Sequence, residues 1–235
     1  MTIAIGMAYL ASLYCQFSHM KVLLSFLTGL FIVNSCMSQG NDPEAKKILD
    51  QASAKIKSYK AIKAVFTLEL QDPQGLSQGT KKGTVYMKGN RYHVQITGQE
   101  IFSDGKTIWT LDKSANEVTI TKVDPGSNTM SPQKLLTNFY DKDFLYKVNG
   151  EQKIGQNTVV EIEMTPIDKT QNFHKIYLYV DKKSHLISSG KFLDKSNSKY
   201  LYTINSLNGD LNLPDSNFIF DKSKYPGVEE VNLTQ

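Results

Sequence analysis

Cysteine is almost missing from this chain. Only Cys15 and Cys36 occur in 235 residues, and both precede the segment expected to fold. That segment, Gln39–Gln235, therefore has no disulfide, thiolate metal site or cysteine nucleophile available to it. Strong charge of one sign is missing too. The whole chain carries +4, and removal of Lys21 with the leading segment leaves +3. The basic residues are scattered, so no nucleic-acid partner is expected. No HExxH or GxxxxGK[ST] stretch occurs, which removes the common zinc and phosphate-loop signatures. The one GxSxG spacing, GLSQG at Gly75–Gly79, falls at the turn expected over 71–78 and not on a strand-to-helix elbow. Tryptophan occurs once, as Trp109 in SDGKTIWTL.

An apolar run, VLLSFLTGLFIV, extends from Val22 to Val33. At about a dozen residues it falls short of the roughly 20 needed to span a bilayer. It follows Met20-Lys21 and leads into NSCMSQGNDPE. That is the charged, apolar and small-residue order of a secretory signal. The expected start is Met20, with residues 1–19 upstream of it and cleavage between Ser38 and Gln39. A competing reading lipidates Cys36 in Val33-Asn34-Ser35-Cys36, although Asn34 fits that motif poorly. The expected organisation is a leading segment over 1–38 and a single domain over 39–235.

Past the leader, Asp42-Pro43 opens a helix, with Asp42 as cap and Pro43 at the first turn. Ala45, Ile48, Leu49, Ala52, Ile56 and Tyr59 recur at helical spacing and form one apolar stripe. At Ile62 the period drops to two. Strand-like runs follow near 62–70, 79–88, 91–97, 99–103, 106–111, 117–123, 143–149, 157–165, 173–181, 185–194, 198–207 and 217–220. Their short polar separators suit antiparallel hairpins, and none is long enough for a crossover helix. Ser131-Pro132 starts a second helix with Leu135, Leu136 and Phe139 on its apolar side. The expected fold is mainly β. It is an incomplete antiparallel barrel of about eleven strands, with two or more helices covering its concave apolar face.

Polar candidates for chemistry are thin. His93, His174 and His185 lie on or near separate strands and read as surface histidines. Glu161 and Glu163 share one strand face, opposite Val160, Ile162 and Met164, and read as a solvated side rather than a catalytic pair. Tyr177, Tyr179, Tyr200 and Tyr202 alternate within strands and read as cross-strand pairs. No enzyme activity and no cofactor are expected. The physics stops at a secreted β-protein that binds something apolar or serves as a structural module.

The order and spacing of several stretches carry more. They are AKKILDQASAKIKSYKAIKAVFTLEL, GTVYMKGNRYHVQI, SDGKTIW with its return through NEVTI, VDPGSNTMSPQKLL, HKIYLYVDKKSHLISSGKFLD and FIFDKSKYPGVEEV. Together, from about Asn41 to Val231, they resemble the periplasmic outer-membrane lipoprotein carrier (LolA) family. The resemblance implies a monomeric carrier that shields lipoprotein acyl chains between an inner-membrane release transporter and an outer-membrane acceptor. Family members hold the lid with an arginine in Val-Lys-Arg-Pro; here the text is Met87-Lys88-Gly89-Asn90, which leaves Arg91 as the possible latch. By alternation, the expected acyl cavity comprises Phe66, Leu68, Val94, Ile96, Trp109 and Leu111, beneath a lid of Leu135, Leu136 and Phe139. The alternatives on the same scaffold are a lipid-sensing regulatory module and an acceptor anchored through Cys36.

Overall fold

The computed structural model describes residues 41–124 and 140–234. Helix α1 (Pro43–Lys57) begins where its sequence says it should. The Glu44 amide donates to the Asp42 carboxylate at 2.8 Å, and Pro43 occupies the first turn, where no amide is needed. Its stripe of Ala45, Leu49, Ala52 and Ile56 is buried. The same capping region closes the rim of the sheet. Val148 N–H donates to the other Asp42 carboxylate oxygen at 2.9 Å, and Tyr146 N–H donates to Asn41 at 3.0 Å. A stretch of open strand edge is thereby satisfied.

The strands are β1 (Ile62–Gln71), β2 (Ser77–Lys88), β3 (Arg91–Ile96), β4 (Gln99–Ser103), β5 (Thr107–Asp112) and β6 (Glu117–Lys122). After the short helix α2 (Tyr140–Asp143) come β7 (Phe144–Ile154), β8 (Asn157–Pro166), β9 (Phe173–Asp181), β10 (Ile187–Asp194), β11 (Lys199–Asn208) and β12 (Glu229–Asn232). They form one open sheet in the order β12-β6-β5-β4-β3-β2-β1-β11-β10-β9-β8-β7, with β1 joined to β11. The sheet does not close into a barrel.

Two expectations need correction. The segment expected as a strand over 217–220 instead contains a turn of 3-10 helix, Asp215–Phe218. Pro214 starts that turn with its fixed φ of −68°. The last strand is β12, which pairs parallel to β6. It can do so because the chain leaving β11 travels from the middle of the sheet to the β6 edge before Glu229, so no hairpin constrains it.

Strand alternation divides the sheet into two faces. On the face bearing α1, the cross-strand register aligns Gly79, Leu70, Tyr200, Phe192, Ile176, Met164 and Tyr146 in one row. A buried cluster there joins Ala45, Leu49 and Ala52 of α1 to Ile162, Met164, Ile176 and Leu178. A second cluster joins Ile56 to Ile62, Ala64, Val85, Met87, Tyr92 and Val94. The fifteen-residue helix is about 22 Å long. The five strand spacings from β7 to β1 amount to about 24 Å. One helix thus reaches from the sheet edge to its middle.

Candidate functional site

Along β1 the helix-bearing face opens progressively. Ile62 and Ala64 are buried, whereas Phe66, Leu68 and Leu70 are half-exposed. The two middle strands keep this face low. The Phe66 ring lies across Gly83, where an added Cβ would come within 2.4 Å of the ring. The Tyr202 ring likewise lies across Gly190, at 2.3 Å from such a Cβ. A glycine inside a strand marks close approach of this kind.

From Tyr202 an aromatic series continues toward the sheet edge. Ring centroids are 5.7 Å apart for Phe192 and Tyr202, 5.9 Å for Phe173 and Phe192, and 6.2 Å for Phe144 and Phe173. At the strand ends this series opens into a cleft of about 570 Å³. Phe173, Phe192 and Tyr200 supply its apolar surface, and Asn172, Asp194, Lys195 and Ser196 its polar rim. The rim is rigid. The Asp194 carboxylate accepts from the amides of Ser196 and Ser198 and from the Ser196 hydroxyl, contacts that hold its pKa below the ordinary value.

The register separates the cavity residues expected from sequence. Phe66, Leu68, Val94 and Ile96 share the helix-bearing face, Val94 being buried and the others half-buried. Trp109 and Leu111 do not. Trp109 pairs with Phe102, Phe102 with His93 and His93 with Tyr86, a row on the opposite face. There Trp109 packs with Leu111, Val118, Val228, Phe220 and Tyr225. The physical reason is a second cover. The C-terminal segment Asp215–Val228 lies over β4–β6 as a strap, so both sides of those strands are apolar and alternation alone cannot say which side faces the helix.

Arg91 also needs correcting as a latch. It points to the strap face and pairs with Asp215, which Lys88 also contacts at 3.0 Å. Lys88 further donates to the Leu213 carbonyl at 3.0 Å. Arg91 thus ties down the strap. Leu135, Leu136 and Phe139 lie outside the described residues.

Of His93, His174 and His185, the first departs from expectation. It is buried, with its ring stacked on Phe102 at 4.0 Å. Nε2–H donates to Glu100 at 2.9 Å, while Nδ1 has no partner among the described residues. Glu100 also receives Lys113 at 2.7 Å and the Tyr225 hydroxyl at 3.3 Å. Burial lowers the His93 pKa against the raising effect of Glu100. For Glu100, burial raises the pKa, but Lys113 and His93 outweigh it, so the net shift is downward. Each group therefore binds its proton more weakly folded than unfolded. Its stabilisation is present above the unfolded pKa, 6.5 for His93 and 4.5 for Glu100, and is lost as pH falls. Denaturant midpoints measured from about pH 7.5 to about pH 4 should fall in that order, and His93→Leu should flatten the upper part of the decline. An unchanged profile in the variant would remove His93 from this account.

His174 and His185 are exposed. Glu161 and Glu163 lie opposite Ile162. Glu163 faces Lys175, and both carboxylates accept from Asn149. Among the described residues no group of three or more His, Cys, Asp or Glu side chains is arranged to hold a metal.

A family model described as outer membrane lipoprotein carrier protein LolA matches residues 57–221. This chain belongs to the LolA family. An outer-membrane lipoprotein carrier protein of Cupriavidus necator is 31% identical over 136 residues, 54% of this chain and 62% of that protein. The match thus spans less than two thirds of that relative's length. Its counterpart in Cupriavidus pinatubonensis is 28% identical over 184 residues, 74% of this chain and 84% of that protein. The fold also resembles an uncharacterized conserved protein from Thermus thermophilus. The TM-score is 0.56 at 13% identity, covering 80% of this chain and 99% of that one.

Within this LolA-family sheet, sequence reasoning missed Phe173, Phe192, Tyr200 and Tyr202 as one surface. A signal was available in Gly190 of ISSGKFLD, because an isolated strand glycine announces a close neighbour. Which ring lies on it is a matter of pairing between β10 and β11, which no local pattern states. No helix among the described residues is long and apolar enough to cross a membrane.

Proposed function

We propose that the helix-bearing apolar face holds the acyl chains of lipoproteins and that the protein carries them across the periplasm. It would receive them from an inner-membrane release transporter and deliver them to an outer-membrane acceptor as a monomer, with no enzymatic step. The observation that carries this reading is the half-exposed apolar face running from Phe66 and Leu68 to the Phe173–Phe192–Tyr200 cleft. An acyl chain in water costs about 0.8 kcal/mol per CH₂ relative to burial. A face built of rings and aliphatic side chains offsets that cost through area, with few polar contacts, and can yield its load to a better site.

Calorimetry with an acylated peptide and its non-acylated twin tests the proposal. The acylated peptide should bind saturably and the twin should not; absence of binding by either would sink the carrier reading. Trp109 supplies an internal control. Because it lies under the strap, its emission should stay constant on binding. A Phe66→Trp substitution in a Trp109→Phe background should give a saturable change.

A further inference from the structure

The Tyr202 hydroxyl is the one polar group of the helix-bearing face that is closed off from solvent without a hydrogen-bond partner among the described residues. A buried, unmade hydrogen bond is expensive, and native proteins leave few of them unexplained. Its surroundings give it no internal remedy. The ring lies over Gly190, with Phe192 at 5.7 Å between centroids, and is packed against the cluster containing Ile162 and Leu178. The cross-strand register sets Tyr202 directly beside Leu68 and Gly190. Burial raises the phenol pKa above its ordinary value of 10, so the group is a neutral donor at any physiological pH.

We infer that Tyr202 donates to the carbonyl oxygen of an ester-linked acyl chain and so distinguishes acyl esters from plain hydrocarbon chains. The inference rests on the acyl-binding reading above and adds a polar selection to it. A neutral O–H in an apolar setting needs an acceptor that brings no charge of its own, and an ester carbonyl is such a group. Phe192 both neighbours Tyr202 and lines the cleft. A chain that displaces the Phe192 ring on entering would thus bring its linkage end close to the hydroxyl. Charged acceptors fit less well, since desolvating them among Leu68, Phe192 and Leu178 would be costly.

The test compares two peptides bearing the same pair of alkyl chains on a glyceryl-cysteine, one through ester and one through ether linkages. Tyr202→Phe preserves ring and volume and removes only the hydroxyl. Calorimetric affinity for the ester peptide should fall about threefold to tenfold in Tyr202→Phe, while affinity for the ether peptide stays the same. The unliganded variant should melt at the wild-type temperature or above it, because an unsatisfied donor has been removed. Equal loss for both peptides, or no loss for either, overturns the assignment and leaves the carrier reading standing. Failure of the wild-type protein to bind either peptide overturns both.

Discussion

Phe66→Asp should cost at least about a hundredfold in affinity for an acylated peptide, and Thr67→Asp, one residue along the same strand, should change it by less than about twofold. Phe66 pairs with Ile204 and Gly83 on the helix-bearing face, and Thr67 points to the other side, where its hydroxyl donates to Asn205 at 2.9 Å. No cation lies directly opposite Phe66 in the cross-strand register, and Lys81, its diagonal neighbour on the same face, is exposed, so a carboxylate placed at 66 would still be desolvated by an acyl chain at a net cost. Phe66→Ala should lose only about tenfold, because it removes area without adding charge. Calorimetry on the three variants, with circular dichroism as the check on folding, separates the outcomes. If Thr67→Asp abolished binding and Phe66→Asp preserved it, the acyl face would be on the strap side and the assignment of faces would fail.

Leu178→Ala should lower folding stability by about 3 kcal/mol. Leu178 is fully buried in the middle of β9, facing Ile162 on one side and Gly190 on the other in the strand register. It belongs to the cluster that fixes α1 through Leu49. Gly190 has no side chain with which to close the gap, so the cavity left by the truncation should persist, which places the cost near the middle of the usual range for such changes. At about 2–4 °C per kcal/mol for a chain of this size, the melting temperature should drop by about 6–12 °C. Leu145→Ala is the matched control. Leu145 is 45% exposed on β7, so the same chemical change should cost less than about 1 kcal/mol. Equal effects at the two positions would show that the β7–β10 cluster does not anchor the helix.

Much of the fold was legible because hydrophobic periodicity is a local property. Helix α1, its Asp42 cap and strands β1–β11 follow from spacing and turn residues within windows of about a dozen residues. The solvated reading of Glu161 and Glu163 follows from the same rule, because the apolar residues on one side of β8 assign the other to water. The 217–220 strand failed where Pro214 redirected the backbone, and the parallel pairing of β12 failed because its partner is remote in sequence.

Among the candidate binding residues, local pattern succeeded where one face is polar and failed where both are apolar. It set Phe66, Leu68, Val94 and Ile96 together. It misplaced Trp109 and Leu111, whose strand has Ile108 on one face and Leu111 on the other. The sequence by itself determined which residues alternate and where strands turn, since these depend on neighbours along the chain. Only the tertiary structure decided that the strap covers Trp109, that Arg91 holds Asp215, and that Tyr202 lies on Gly190 with its hydroxyl unpartnered. Each of those depends on which distant segment packs on which face, and that is settled by strand register and by the burial of apolar area between segments far apart in the chain.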